Sequence, residues 1–258
     1  MEKYFFERHN ILKASIVNSL DFPYHLHSEI EITGVIKGGG KAYLNGEEYN
    51  LSPGDFFIAL PNQLHKYSQF GEGEYYLVIV PQILVKGIGW RLKNISLESP
   101  VIKDSKNEIS SILNLLIENR RDCKEISIES YITLAVSRMI DKCKEKLIKE
   151  KDSNLIKIIN YCQENFESDI SIDKIAEEFD LSPGYISHIF SIRLKINFRL
   201  FINSLRIEKA KELINEGNMN ITEIGFAVGF SSLRTFNRAF YQLTKKTPRE
   251  YKKISAAK

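Results

Sequence analysis

Three imidazoles and one carboxylate carry the first recognisable chemistry. His25 and His27 are followed by Glu31, and His65 comes after the stretch Pro61-Asn62-Gln63-Leu64. Neutral imidazoles with a carboxylate suit zinc, iron or manganese; the same groups can instead hydrogen-bond an organic ligand. A second polar set near the other end has different chemistry. Arginine can grip guanine O6 and N7 with two hydrogen bonds, and asparagine can do the same to adenine N6 and N7. Arg234, Asn237 and Arg238 bring both residue types into five positions.

The elements that must position the second set occur twice. One copy runs Ile175-Ala176-Glu177-Glu178-Phe179-Asp180-Leu181-Ser182 and ends at Ile189-Phe190; the other runs Ile224-Gly225-Phe226-Ala227-Val228-Gly229-Phe230-Ser231-Ser232 and ends at Ala239-Phe240. Each reads as a short amphipathic helix, a tight turn and a second helix opening on Ser. That is the layout of a helix-turn-helix, whose second helix enters the DNA major groove. The turn needs a residue with positive φ, which Gly229 supplies without steric cost and Asp180 tolerates. Ser182 and Ser231 are placed to cap the second helices, with Pro183 at a first helical position. The apolar residues of both copies, Phe226 and Ala227 among them, are expected to face inward. The outward set is then Gly184, Tyr185, Ser187, His188 and Ser191 on the first reading helix, and Leu233, Arg234, Thr235, Asn237 and Arg238 on the second. Leu205, Ile207, Ala210, Leu213 and Ile214 predict a connecting helix that holds the reading helices about one DNA turn apart, roughly 34 Å. Thr247-Pro248-Arg249-Glu250 reads as a capping box.

Residues from about 153 to 254 resemble the DNA-binding domain of AraC-type (AraC/XylS) transcriptional regulators. The matching residues are Ile175-Ala176, Arg206-Ile207 through Ala210, Leu213-Ile214, Ile224 to Ser232, Phe236, Phe240 and Thr247 to Tyr251. The resemblance implies base contacts from Gly184, Ser187, His188, Leu233, Arg234, Asn237 and Arg238. It implies double-stranded promoter DNA, a small-molecule effector, RNA polymerase and a second copy of the chain as partners. Two departures concern the residue after each reading helix, where the family has glycine and this chain has Lys195 and Lys245. A lysine at a left-handed position costs about 1 kcal/mol, and its charge can recover affinity on a phosphate.

The net charge of +3 divides into −2 over residues 1–100, +1 over 101–152 and +4 over 153–258. A basic domain joined to an acidic one fits a DNA reader with a separate sensor. Met1 to Leu12 lacks a secretion signal and no apolar run is long enough to span a bilayer, so membrane and secreted roles are excluded. The odd set Cys123, Cys143 and Cys162, without CxxC spacing, reads as reduced cytoplasmic thiols.

The N-terminal part reads as all-β. Lys41 to Leu44 and Glu47 to Tyr49 flank Asn45-Gly46, the preferred two-residue hairpin turn. Glu29–Ile36, Phe56–Leu60 and Tyr75–Val80 are further strands, punctuated by Gly38-Gly39-Gly40 and Ser52-Pro53-Gly54-Asp55. The period of two puts His25, His27 and Glu31 on one face of one strand. With Gly38, Gly54-Asp55 and His65, this resembles the two cupin motifs, whose histidines and glutamate bind metal in enzymatic members. The second motif departs from the pattern: it lacks the glycine between proline and histidine and is one residue short. The expected architecture is α+β and multidomain: a cupin-like jelly-roll barrel over 1–100, a helical dimerisation and linker segment over 101–152, and an all-α domain with two helix-turn-helix motifs over 153–258. Ile109 to Ile117 and Ile128 to Leu147 predict the two linker helices, and Lys142 to Asp152 a helical tail.

Two functions emerge. The first is a ligand-responsive transcriptional activator, without catalysis, metal or cofactor, whose His25, His27, Glu31 and His65 bind an effector such as a sugar or small polar metabolite. The second is a metal-dependent cupin enzyme, using the same four residues, fused to a DNA-binding domain.

Overall fold

The computed structural model describes residues 5–6, 11–92, 95–119, 125–146, 150–194 and 196–255. The chain divides into two units, Met1–Asp152 and Ser153–Lys258. The first holds strands β1 (Phe5–Phe6), β2 (Lys13–Val17), β3 (Phe22–Leu26), β4 (Ile30–Lys37), β5 (Gly40–Leu44), β6 (Glu47–Leu51), β7 (Asp55–Ala59), β8 (His65–Gln69), β9 (Glu74–Val80), β10 (Ser96–Leu97), β11 (Val101–Lys103) and β12 (Glu145–Lys146). Its helices are α1 (Lys86–Leu92), α2 (Glu108–Asn119) and α3 (Glu125–Cys143). Helix α4 (Glu150–Asn165) leads into the second unit, which continues with α5 (Ile172–Glu178), α6 (Pro183–His188), α7 (Phe198–Glu216), α8 (Ile221–Ala227), α9 (Leu233–Thr244) and α10 (Pro248–Ser255).

The strands form two five-stranded sheets, ordered β1-β3-β8-β5-β6 and β11-β7-β4-β9-β2. The expected barrel is thus two separate sheets, whose ladders do not join among the described residues. The β5–β6 hairpin turns through Asn45 (φ 52°) and Gly46 (φ 94°), as the Asn-Gly pair requires. Strand β4 has buried side chains on both faces. Ile30 and Ile32 point to one side and join a core with Phe56, Ile58, Val78 and the helical residues Ile109, Leu113, Ile132, Val136 and Met139. The opposite face carries Val35, which packs with Ala42, Leu44, Phe57, Tyr67 and Tyr75 between the sheets. Each such fully buried side chain contributes about 1.5–3 kcal/mol.

Asp104 joins β11 to α2. Its carboxylate accepts from the amides of Glu108 (2.9 Å) and Ser110 (2.9 Å) and from the Ser110 hydroxyl (2.8 Å). These are first-turn donors that a helix leaves unpaired. The predicted helical tail from Lys142 is interrupted. Helix α3 stops at Cys143, Lys144 turns left-handed (φ 52°), and β12 pairs with β10 before α4 begins.

In the second unit both predicted turns form, with Asp180 at φ 52° and Gly229 at φ 90°. A Cβ on Gly229 would lie 2.5 Å from the Glu167 carbonyl oxygen, so the turn also needs glycine for space. Ser182 caps α6 by accepting from the Tyr185 amide at 3.2 Å. In the second copy the cap is Ser232, accepting from the Thr235 amide at 3.3 Å, one residue later than expected. The inward expectation fails at Phe226 and Ala227, which are exposed. Helix α8 buries Ile224 and Gly225 instead, because a bare Gly225 lets the Phe236 ring approach to within 3.1 Å of where a Cβ would stand. Phe226, one residue further round the helix, then faces solvent.

Helix α7 forms the predicted connector. Asn197 caps its start, accepting from Arg199 (2.9 Å) and Leu200 (3.4 Å), and Gly217 (φ 77°) ends it. Arg206 on this helix donates to the carbonyls of Phe166 (2.7 Å) and Ser168 (2.9 Å), and its guanidinium lies over the Phe230 ring. One side chain therefore ties the end of α4 to the second helix-turn-helix.

Candidate functional site

The two second helices both start from a serine cap, which sets a common register. Taking Ser182 with Ser232 aligns Gly184 with Arg234, Ser187 with Asn237 and His188 with Arg238. All six are exposed, while the apolar residues beneath them are buried: Ile186, Ile189 and Phe190 in one copy, Phe236, Ala239 and Phe240 in the other. Leu233 is half-buried and packs on the core of the second copy. Thr235 is occupied by the cap, its hydroxyl 2.7 Å from the Ser232 carbonyl. An open groove of 1180 Å³ runs through this unit, lined in part by Arg199, Phe226, Thr235 and Arg238. Lys245 is exposed and ends α9 in the left-handed conformation at φ 59°, as the glycine-position reading requires. Lys195 lies outside the described residues.

The other predicted set converges inside the first unit. His25, His27, Glu31 and His65 are all buried, and one donor atom from each lies within 4.8 Å of the others. They do not share a strand. His25 lies one residue before the end of β3, where it pairs with His65 of β8 in one sheet, while Glu31 belongs to β4 of the other. The strand ends at Leu26 and β4 starts at Ile30, so the period of two does not carry through His27 to Glu31. The chain crosses between sheets there, with the His27 carbonyl accepting from the Asn62 amide at 2.8 Å. Asn62 takes φ 63° in the turn before His65. It supplies the left-handed residue that the missing motif glycine would have given.

Each ring is fixed by a carbonyl at Nδ1. His25 Nδ1 donates to Pro23 O (3.0 Å), His27 Nδ1 to Glu29 O (3.2 Å) and His65 Nδ1 to Gln63 O (2.8 Å). A carbonyl only accepts, so Nδ1 is the donor in each of these contacts. All three Nε2 atoms face Glu31. The separations are 3.1 Å from His27 and 3.8 Å from His25 to Oε2, and 3.7 Å from His65 to Oε1. Burial pushes the Glu31 pKa up, but the three facing imidazoles outweigh it and hold the carboxyl well below its usual range. Burial, helped by His65, pushes His25 down against the pull of Glu31.

Two neighbours escaped the sequence reading. Tyr67 stands two residues after His65, and Thr33 two after Glu31, so the period of two places both beside the cluster. Their buried hydroxyls have no hydrogen-bond partner among the described residues. Burial, and then the Glu31 charge, pushes the Tyr67 hydroxyl well above its usual pKa.

Comparison with known proteins agrees with this division. Residues 16–139 match a family model described as an AraC-like ligand binding domain, and residues 175–254 one described as a helix-turn-helix domain. An uncharacterized HTH-type transcriptional regulator of Staphylococcus aureus (strain MRSA252) is 22% identical over 95% of this chain and 34% of its own length. The uncharacterized HTH-type transcriptional regulator YijO of Escherichia coli (strain K12) is 32% identical over 37% of this chain and 34% of its own. The chain thus spans about a third of the length of the curated relatives it matches. Among solved structures, ToxT from Vibrio cholerae has a similar fold, with a TM-score of 0.56 at 14% identity over 94% of this chain and 98% of that one. A second ToxT structure, bound to an unsaturated fatty acid, has a TM-score of 0.56 at 16% identity over 95% of this chain and 96% of that one. With its AraC-like ligand binding domain followed by a helix-turn-helix domain, the chain belongs to the AraC-type family of regulators.

Proposed function

We propose that the chain is a ligand-responsive, sequence-specific transcriptional regulator that acts as an activator in the cytoplasm and performs no catalysis. The single observation that carries this reading is the pair of capped reading helices, each with exposed residues at the same three positions from its cap. Arg234, Asn237 and Arg238 read base edges in one half of the site; Gly184, Ser187 and His188 let the other helix approach a neighbouring groove segment. Leu233 packs against a base methyl, and Lys195 and Lys245 hold phosphates. The partners are double-stranded promoter DNA, RNA polymerase and a second copy of the chain, with the described face of α2 and α3 available for pairing. Leu115, Ile126 and Leu134 on these helices are exposed. No described helix is long and apolar enough to cross a membrane.

The effector enters between the two sheets, where His25, His27, Glu31 and His65 supply the polar contacts. These four groups favour a polar ligand at the centre of the unit, in contrast to the fatty acid of the ToxT complex.

Selection of bound sequences from random duplexes by the full chain tests the reading. Enrichment of one site is expected. Arg234→Ala or Arg238→Ala then loses about 1–3 kcal/mol on that site and far less on random DNA. Equal loss on both would mean that these residues contact only phosphate, and no enrichment would contradict sequence-specific binding altogether.

A further inference from the structure

We propose that Ile192 and Tyr241 are specificity-determining residues, each reading a thymine by packing on its C5 methyl group. This role rests on the DNA-reading function proposed above and names the base chemistry taken by the far end of each reading helix.

The correspondence between the two reading helices runs on for one more turn. From the common serine cap, Ser191 aligns with Tyr241 and Ile192 with Gln242, and all four are exposed. Together with the pairs already aligned, they complete the i, i+3, i+4, i+7, i+8 spacing of a single helix face. Each copy of this outward face carries one large apolar side chain, and in both copies it falls in that last turn. Ile192 is 60% exposed and Tyr241 57%.

Local packing holds both side chains out. In the first copy the Leu194 amide donates to the Ile189 carbonyl, five residues back, at 3.0 Å. The wide turn so formed buries Ile189, Phe190 and Leu194 and leaves Ile192 in solvent. The neighbouring Ser191 hydroxyl donates to the Ser187 carbonyl at 2.8 Å, so it is turned back onto its own helix. In the second copy Phe236, Ala239 and Phe240 take the inner face of α9, and Tyr241 falls on the outer one.

Scattered exposed apolar side chains are ordinary on a protein surface. This pair is set apart by its place, continuous with a polar reading surface and in the same turn of both copies. The apolar group that a base pair presents in the major groove is the thymine methyl. Isoleucine has no donor or acceptor for any other base edge or for a phosphate. Tyrosine has a hydroxyl, but its ring supplies the larger surface, and the two roles are separable by experiment. At 1.5 Å per residue, about 10 Å of helix separates Arg234 from Tyr241. With bases about 3.4 Å apart, the hydrogen-bonding and methyl-reading ends of α9 meet different base pairs.

The test titrates the full chain against its selected duplex and against copies in which single thymines are replaced by deoxyuridine, which removes only the C5 methyl. Loss of one buried methyl weakens binding about fourfold. We expect that loss at one or more thymines in each half of the site. In Ile192→Ala it should vanish at a thymine in one half, and in Tyr241→Ala at a thymine in the other, with the remaining positions unchanged. Tyr241→Phe should keep the wild-type affinity and the same response to deoxyuridine. Both side chains are exposed, and circular dichroism checks that the variants fold. A selected site without thymine in either half, thymines that tolerate deoxyuridine, or a response that persists in both alanine variants would overturn the methyl contacts. So would alanine variants that bind the selected duplex as tightly as the wild type. Equal weakening of Tyr241→Phe and Tyr241→Ala on every duplex, random ones included, would place the hydroxyl on a phosphate and overturn the methyl contact of Tyr241. An enriched site with none of the expected effects contradicts methyl reading alone, whereas no enriched site at all contradicts DNA reading and methyl reading with it.

Discussion

Lys245 shows what one backbone angle asks of one residue. Its φ of 59° ends α9 in a conformation that favours glycine, yet the residue is lysine, and its ammonium reaches the Gln242 carbonyl at 3.1 Å. Left-handed strain and the greater freedom of an unfolded glycine oppose each other at about the same size. Lys245→Gly should therefore leave thermal stability unchanged or raise it by up to about 1 kcal/mol. If the lysine sits on a phosphate, the slope of log affinity against log salt falls by about 0.9 in the variant. An unchanged slope would place the side chain away from DNA. At this scale the sequence was highly legible: Asp180 and Gly229 both occupy the left-handed turns expected of them, and Asn45-Gly46 makes its hairpin. Phe226 was misread because hydrophobicity alone does not reveal that Gly225, with no side chain at all, marks the packed face of α8.

Between elements, single polar residues set where helices begin. Asp104 fixes the start of α2 against β11 through three hydrogen bonds to its carboxylate. Burial pushes its pKa up, but these donors win and hold it below the ordinary value. A carboxylate depressed in the folded state stabilises fully above its unfolded pKa, about 3.9, and that contribution is lost as pH falls through the folded pKa. Asp104→Ala should thus cost about 1–3 kcal/mol at neutral pH, where the wild-type group is ionised. The difference in melting temperature between the two proteins should shrink below about pH 4. A difference that stays constant down to the lowest pH at which both remain folded would mean that the charge of Asp104 contributes nothing. Element identities were readable from periodicity, but connections were not. The break between Leu26 and Ile30 and the left-handed Lys144 are tertiary choices: one lets the chain change sheets, the other lets β12 pair with β10. Local alternation predicted one strand face holding His25, His27 and Glu31. The fold instead brings those three together with His65 from two sheets and the segment between them, so the residues were foreseen and their construction was not.

At the scale of the whole molecule, each unit has its own core and its own polar device. Between the sheets, a ring of imidazoles surrounds a carboxylate. In the helical unit, α7 joins two helix-turn-helix motifs whose exposed residues match position for position. That repetition makes the account specific, because two reading helices on one rigid connector require two contacts at a set spacing. Hydroxyl-radical footprinting of the full chain on its selected duplex measures this directly. The account predicts two protected patches on one face of the DNA, about one helical turn or roughly 34 Å apart, with Arg234→Ala weakening protection in one patch before the other. Protection of a single patch, or a pattern no different from that on random-sequence DNA, would contradict it.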